Sequence, residues 1–237
     1  MGVRVYHGRA AEPAADRAVT AQLLDETART STPAVRVWRP HRQVAFGRRD
    51  TREAGYEAAR SATRNQGFKP TERRVGGRAV AYTGRTLAIA HAVPIADIRT
   101  GMCDRYTEAS QQLVNTLGEL GADVIRGEVA NAYCPGSHSI SGVDSDGDPT
   151  GKIAGIAQRV QSGAALVSAC LTVTDVDEPP LREVLETVYG ALDVPFDPAS
   201  VGSVSTAGGP DDPAVVSRAV EDALVDGRPT ETVVVGE

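Results

Sequence analysis

Gly151-Lys152-Ile153-Ala154-Gly155-Ile156-Ala157-Gln158-Arg159 follows a polar loop, and upstream of that loop stands Tyr133-Cys134-Pro135-Gly136-Ser137. The first stretch reads as a strand. Together with Ser137–Gly142 and the loop Val143–Thr150 it predicts a β-hairpin that carries a thiol at one end and an ammonium at the other. Lysine occurs only at Lys69 and Lys152, whereas arginine is abundant. The chain thus uses Arg wherever it needs positive charge alone, and a Lys among Gly151, Ala154 and Gly155 marks a place that wants a compact, deprotonatable amine. Small neighbours also let a substrate pass close to the backbone.

Working outward, the pattern predicts helices over Pro13–Thr27, Gly55–Asn65, Arg105–Leu120, Leu181–Leu192 and Asp212–Val225. Apolar stripes such as Leu113, Leu117 and Leu120 support these helices. Strands are expected at Ala34–Trp38, Gln43–Gly47, Leu87–Val93, Asp123–Arg126 and Ala164–Val173. A further apolar strand follows the Gly76-Gly77 turn within Lys69–Tyr82. Pro229–Glu237 is read as either a strand or a tail. Paired strands with helices between and after them indicate an α+β fold, with a mixed or antiparallel sheet flanked by helices. Residues 1–237 are expected to form a single catalytic domain, with 175–237 as a helical C-terminal extension of it.

The 237 residues and a net charge of −6 suit a globular chain with a sizeable core. No apolar run is long enough to span a bilayer, and the N-terminus lacks the apolar centre of a signal peptide. Three cysteines argue against a disulfide framework. These features point to the cytoplasm, with neither nucleic acid nor membrane as partner. Asp144, Asp146 and Asp148 do not complete a calcium loop, because Pro149 and Gly155 occupy the positions that need Gly and Glu. The four histidines lack ligand spacing, and no metal is expected.

Four pieces of the chain together resemble the biotin/lipoate protein ligase superfamily: Val44-Ala45-Phe46-Gly47-Arg48-Arg49-Asp50, Arg73-Arg74-Val75-Gly76-Gly77-Arg78-Ala79-Val80, the Lys152 strand and the Cys134 turn. The Cys-Pro-Gly element before the lysine strand is similar to the cysteine-dependent octanoyl/lipoyl amidotransferases. The resemblance implies that Cys134 carries the acyl group and Lys152 is its companion cation. It also implies that the carriers are lipoyl-domain proteins, namely the glycine cleavage H protein and the 2-oxoacid dehydrogenase E2. Val75 and Arg78 depart from the family pattern, which usually has a small hydroxyl residue and a third glycine there.

From the residues alone, Cys134 is either a small buried hydrophobe or a nucleophile set at a loop edge by Pro135-Gly136. Cys170 reads as core, and neither it nor Cys103 as catalytic. Gly76 and Gly77 are either a bend or a floor for an acyl chain, which the strands Ala79–Tyr82 and Leu87–Ala90 would wall. Arg73 and Arg74 are solvated charges or contacts to an acidic carrier domain. His138 is a second-tier base. The expected chemistry is transfer of an octanoyl or lipoyl group between lysines through a Cys134 thioester, without a cofactor. The alternatives are an ATP- and Mg-dependent ligase using Lys152, a transferase that draws octanoate from acyl carrier protein, and a non-catalytic module that only binds a lipoyl domain.

Overall fold

A computed structural model describes residues 2–73 and 75–236. Arg74, grouped above with Arg73, lies outside the described residues. The strands are β1 (Val3–Gly8), β2 (Ala34–Trp38), β3 (Gln43–Phe46), β4 (Lys69–Glu72), β5 (Val80–Tyr82), β6 (Leu87–Pro94), β7 (Val124–Arg126), β8 (Ile140–Val143), β9 (Pro149–Gln161), β10 (Ala164–Leu171) and β11 (Thr230–Val235). The helices are α1 (Pro13–Thr30), α2 (Tyr56–Asn65), α3 (Met102–Glu119), α4 (Glu178–Ala191) and α5 (Pro213–Val225).

Eight strands form one mixed sheet in the order β11-β1-β2-β6-β10-β9-β8-β7, and a smaller sheet runs β4-β3-β5. The parallel pairs β1–β11 and β1–β2 stand beside a run of antiparallel pairs from β2 to β7. Strand β1 was not anticipated. Pro229–Glu237, read as either strand or tail, supplies β11, which pairs with β1 over six residues. The segment 175–237 therefore contributes a sheet strand as well as helices. No helix among the described residues is long and apolar enough to cross a membrane.

Strand alternation sorts the core. Val35, Val37, Leu87 and Ile89 join Leu113 and Leu117 of α3 and Val216 and Val220 of α5 on one face of the large sheet. On the other face, Ala34, Ala90, Ala92 and Leu166 pack under Leu23 and Leu24 of α1. The small sheet and α4 enclose a third cluster, which includes Phe46, Val80, Val184 and Tyr189. On the α1 face, one register row runs Gly155–Cys170–Ala88–Trp38 across β9, β10, β6 and β2. Three of these four side chains are small, so the row leaves space between the large sheet, α1 and the small sheet.

Arg36, also on the α1 face, ties α1 down. Its side chain is fully buried, Nη2 donates to Asp16 Oδ1 at 2.7 Å, and the guanidinium lies 4.2 Å from the centroid of the Trp38 ring. Burial lowers the Arg36 pKa, and Asp16 counters that shift. Asp16→Ala would leave this guanidinium buried without its carboxylate. The expected loss is about 3–5 kcal/mol of unfolding free energy in urea titration.

Candidate active site

The turn before β8 carries the thiol. Cys134 adopts a left-handed conformation at φ 43, and its N–H donates to the Tyr189 hydroxyl at 2.6 Å. That hydroxyl in turn donates to Ala79 O at 3.0 Å. Tyr189, buried on α4, thus joins the Cys134 turn to the start of the segment that becomes β5. The Cys134 Sγ accepts from Arg73 Nη2 and from the Arg78 N–H, each at 3.2 Å. The Arg73 guanidinium also donates to Arg78 O, which orients it against the sulfur.

Lys152 reaches the same turn from β9. Its side chain is fully buried, and Nζ donates to Tyr133 O at 2.8 Å and to Cys134 O at 2.7 Å. The ammonium lies 4.9 Å from the Tyr133 ring centroid. The expected placement of thiol and ammonium at opposite ends of a hairpin is corrected here: the hairpin begins at Ile140, and Cys134 lies upstream of it, in direct contact with Lys152. A shift in the β8–β9 register explains the direction of the lysine. Ile140 pairs with Ala154 and Ser141 with Lys152, so Ile153 is an extra residue. Ile153 and Ala154 both enter the α3-side core. The bulge turns Lys152 to the side of Gly155, where a Cβ would stand 3.4 Å from Lys152 Cε and 3.5 Å from Nζ.

Burial pushes the Cys134 thiol up. The charge of Arg73, then that of Lys152, and the hydrogen bonds from Arg78 and Arg73 outweigh it, leaving the pKa below that of an ordinary thiol. Burial lowers the Lys152 pKa, opposed chiefly by Cys134. The Arg73 pKa moves the other way: burial would lower it, and the Cys134 charge beside it carries it above the usual value. Cys170 offers a contrast, since burial drives its thiol up to about 12.

A cavity of about 510 Å³ occupies the space above the small-residue row. Arg73, Tyr82, Gly155, Cys170, Ala88 and Ile89 line it, whereas Cys134 and Lys152 do not, and Cys134 meets it through its contact with Arg73. Gly77 faces the nucleophile rather than the cavity. Its φ is +89, and a Cβ there would stand 2.5 Å from Cys134 Sγ and 2.8 Å from Arg73 Nη2. Gly76 is exposed with nothing within 4 Å of a Cβ. Ala79 is buried in the small-sheet cluster and meets the site through its carbonyl. Gly151 packs against the Gly202 backbone, away from the cavity lining. His138 stacks on Tyr106 with ring centroids 4.7 Å apart. Asp144 Oδ1 accepts from the N–H groups of Asp146 and Asp148, which closes the β8–β9 turn. Among the described residues, no group of three or more His, Cys, Asp and Glu could hold a metal ion.

The contact of Arg73 with the sulfur, the Arg78 amide and the Tyr189 hydroxyl were not read from sequence. A tyrosine within the apolar series of a helix gives no sign that its hydroxyl will emerge at a turn 55 residues away.

Alkylation of Cys134 by iodoacetamide, followed against pH, should show a midpoint below the roughly 8.5 of a free thiol. Arg73→Gln removes the strongest opposing charge and should move the midpoint above that value. Gly77→Ala displaces the sulfur from Arg73 and the Arg78 N–H and should raise that midpoint, whereas Gly76→Ala should leave it unchanged.

Residues 12–224 match the protein-family model described as the lipoyl protein ligase A/B catalytic domain. The octanoyl-[GcvH]:protein N-octanoyltransferase of Anoxybacillus flavithermus (strain DSM 21510 / WK1) is 34% identical over 145 residues, covering 60% of this chain and 49% of that protein. The lipoyl-[GcvH]:protein N-lipoyltransferase of Listeria monocytogenes serovar 1/2a (strain ATCC BAA-679 / EGD-e) is 27% identical over 163 residues, 68% of this chain and 56% of that one. The chain spans about half the length of the curated relatives it matches. Among solved structures, lipoate-protein ligase A bound with ATP aligns with a TM-score of 0.72 at 20% identity, over 100% of this chain and 90% of that chain. A putative lipoate protein ligase from T. acidophilum with bound lipoic acid aligns with a TM-score of 0.72 at 18% identity, over 100% and 91%. At such identities the likeness concerns the fold.

Proposed function

The chain belongs to the lipoyl protein ligase A/B catalytic domain family, and from that premise we propose that it is an acyltransferase of protein lipoylation. It moves an octanoyl or lipoyl group between lysines of lipoyl-domain proteins through a thioester on Cys134. The carriers in this reading are the glycine cleavage H protein and the lipoyl domain of 2-oxoacid dehydrogenase E2. The observation that carries the reading is a sulfur held 3.2 Å from a backbone N–H and from the guanidinium of Arg73, which itself lines a cavity of acyl-chain size.

The Cys134 thiolate attacks the carbonyl carbon of an acylated lysine. A C–S bond forms, the C–N bond breaks, and the carrier lysine departs as an amine after taking one proton from solvent, which the second step returns. A second lysine amine then attacks the thioester, forming the new C–N bond, releasing a proton and returning the thiolate. Negative charge develops on the carbonyl oxygen in both steps. Lys152 has three N–H donors and spends two on the Tyr133 and Cys134 carbonyls. The third, with Arg73, stabilises that oxyanion. One amide replaces another, so the exchange consumes no nucleotide.

The test is incubation with an octanoylated carrier in the absence of ATP. The enzyme should gain the mass of one octanoyl group, removable by hydroxylamine. Cys134→Ser should abolish the gain and slow transfer on the order of 10³-fold or more. Retention of transfer by Cys134→Ser with free octanoate and ATP would instead establish an adenylating ligase.

A further inference from the structure

Charge is unevenly distributed along this chain. Residues 39–85, which connect β2 to β6 and contain the small sheet, hold 12 Lys and Arg against 4 Asp and Glu, although the whole chain carries a net charge of −6. Several of these cations are already occupied: Lys69 pairs with Glu12, Arg60 with Glu57, Arg85 with Asp177, and Arg42 stacks over Phe68. Arg39, Arg48, Arg49, Arg52 and Arg64 are exposed, and none has a carboxylate partner among the described residues. Arg48, Arg49 and Arg52 are set apart by their place in the chain, on the turn that follows β3.

These three arginines lie next to the reactive cluster. They flank the short turn of helix Asp50–Arg52 that follows β3. Asp50 Oδ1 and Glu53 Oε1 from the same turn accept from Arg78 Nη1 at 3.2 and 3.0 Å. Arg78 is the residue whose N–H donates to Cys134 Sγ. Gly47 abuts Gly77 so closely that no side chain fits between them. The turn is thus fixed to the nucleophile loop through Arg78, and its two buried or half-buried carboxylates are spent inward, leaving the outward charge positive.

We propose that Arg48, Arg49 and Arg52 form the docking rim for an acidic carrier domain that brings its acyl-lysine to Cys134. This rests on the transfer reading above and specifies its partner surface. The net negative charge of the chain repels an acidic partner, while a basic rim attracts it to one orientation, which acts mainly on encounter rate. Exposed guanidinium groups suit carboxylates, which they can bind through two N–H groups at once.

The test compares wild type with Arg48→Glu/Arg49→Glu/Arg52→Glu on two octanoyl donors: an octanoylated acidic lipoyl domain, and the neutral thioester S-octanoyl-N-acetylcysteamine. For the carrier at low salt, kcat/KM should fall by roughly 10- to 10³-fold through KM. Wild-type kcat/KM should decline with added NaCl, and that of the variant should not. Octanoyl capture from the neutral thioester should stay within about twofold, which also reports that the variant is folded. Equal loss on both donors, or carrier kinetics in the wild type that ignore salt, would overturn the docking rim. Absence of capture from either donor by the wild type would instead overturn the acyl-enzyme reading.

Discussion

A fully buried ammonium has to be answered by acceptors, and Lys152 finds two of them in the carbonyls of Tyr133 and Cys134. Much of the site follows from that constraint. The acceptors belong to Cys134 and the residue before it, so neutralising the lysine also shapes the turn. Cys134 then takes a left-handed backbone, which costs an L-residue about 1–2 kcal/mol and is held by the Tyr189 hydroxyl on the Cys134 N–H. With the backbone so fixed, the sulfur points to Arg73 and the Arg78 amide. The lysine therefore acts on the thiol in two ways, through its charge and through the geometry of the turn.

Three layers supply the rest. The β8–β9 bulge turns Lys152 out of the α3-side core. A row of small side chains across four strands opens the cavity that Arg73 and Gly155 line. The Arg36–Asp16 pair holds α1 over that space. Each device departs locally from a well-filled sheet core, by an extra residue, an unfilled row or a buried charge, and the last two reach the cavity lining through Gly155, Cys170, Ala88 and Asp16. Clustering of this kind is expected where a fold has been bent to a task.

The family match and the fold leave the reaction type open, since one fold hosts several chemistries. The proposed reaction rests instead on the side chains at the site. A thiol with lowered pKa, touching a guanidinium and a backbone donor, is suited to covalent acyl capture. The second buried thiol, Cys170, is pushed up to about 12 because burial outweighs the charge of Arg73 and the hydrogen bond from Tyr82. The two thiols thus shift in opposite directions, because a guanidinium and a backbone N–H touch the sulfur of Cys134 directly.

Local pattern determined much of this protein before any tertiary contact is considered. Strand β2 spans Ala34–Trp38 as its alternation predicts, and the five helices follow their apolar periodicity and Gly or Pro boundaries. Cys134 and Lys152 stand out by type and by neighbours, and the resemblance rests on contiguous motifs. What only the tertiary structure decided is long-range. Strand β1 acquires its role by pairing with β11, more than 220 residues away in the chain. Arg73 turns from a rim charge into the partner of the sulfur, Tyr189 reaches a turn from the middle of α4, and Gly151 packs on Gly202 rather than on the cavity. Periodicity records which face of an element is apolar. It carries no record of which distant atom a polar tip will meet, because that depends on how separate elements pack.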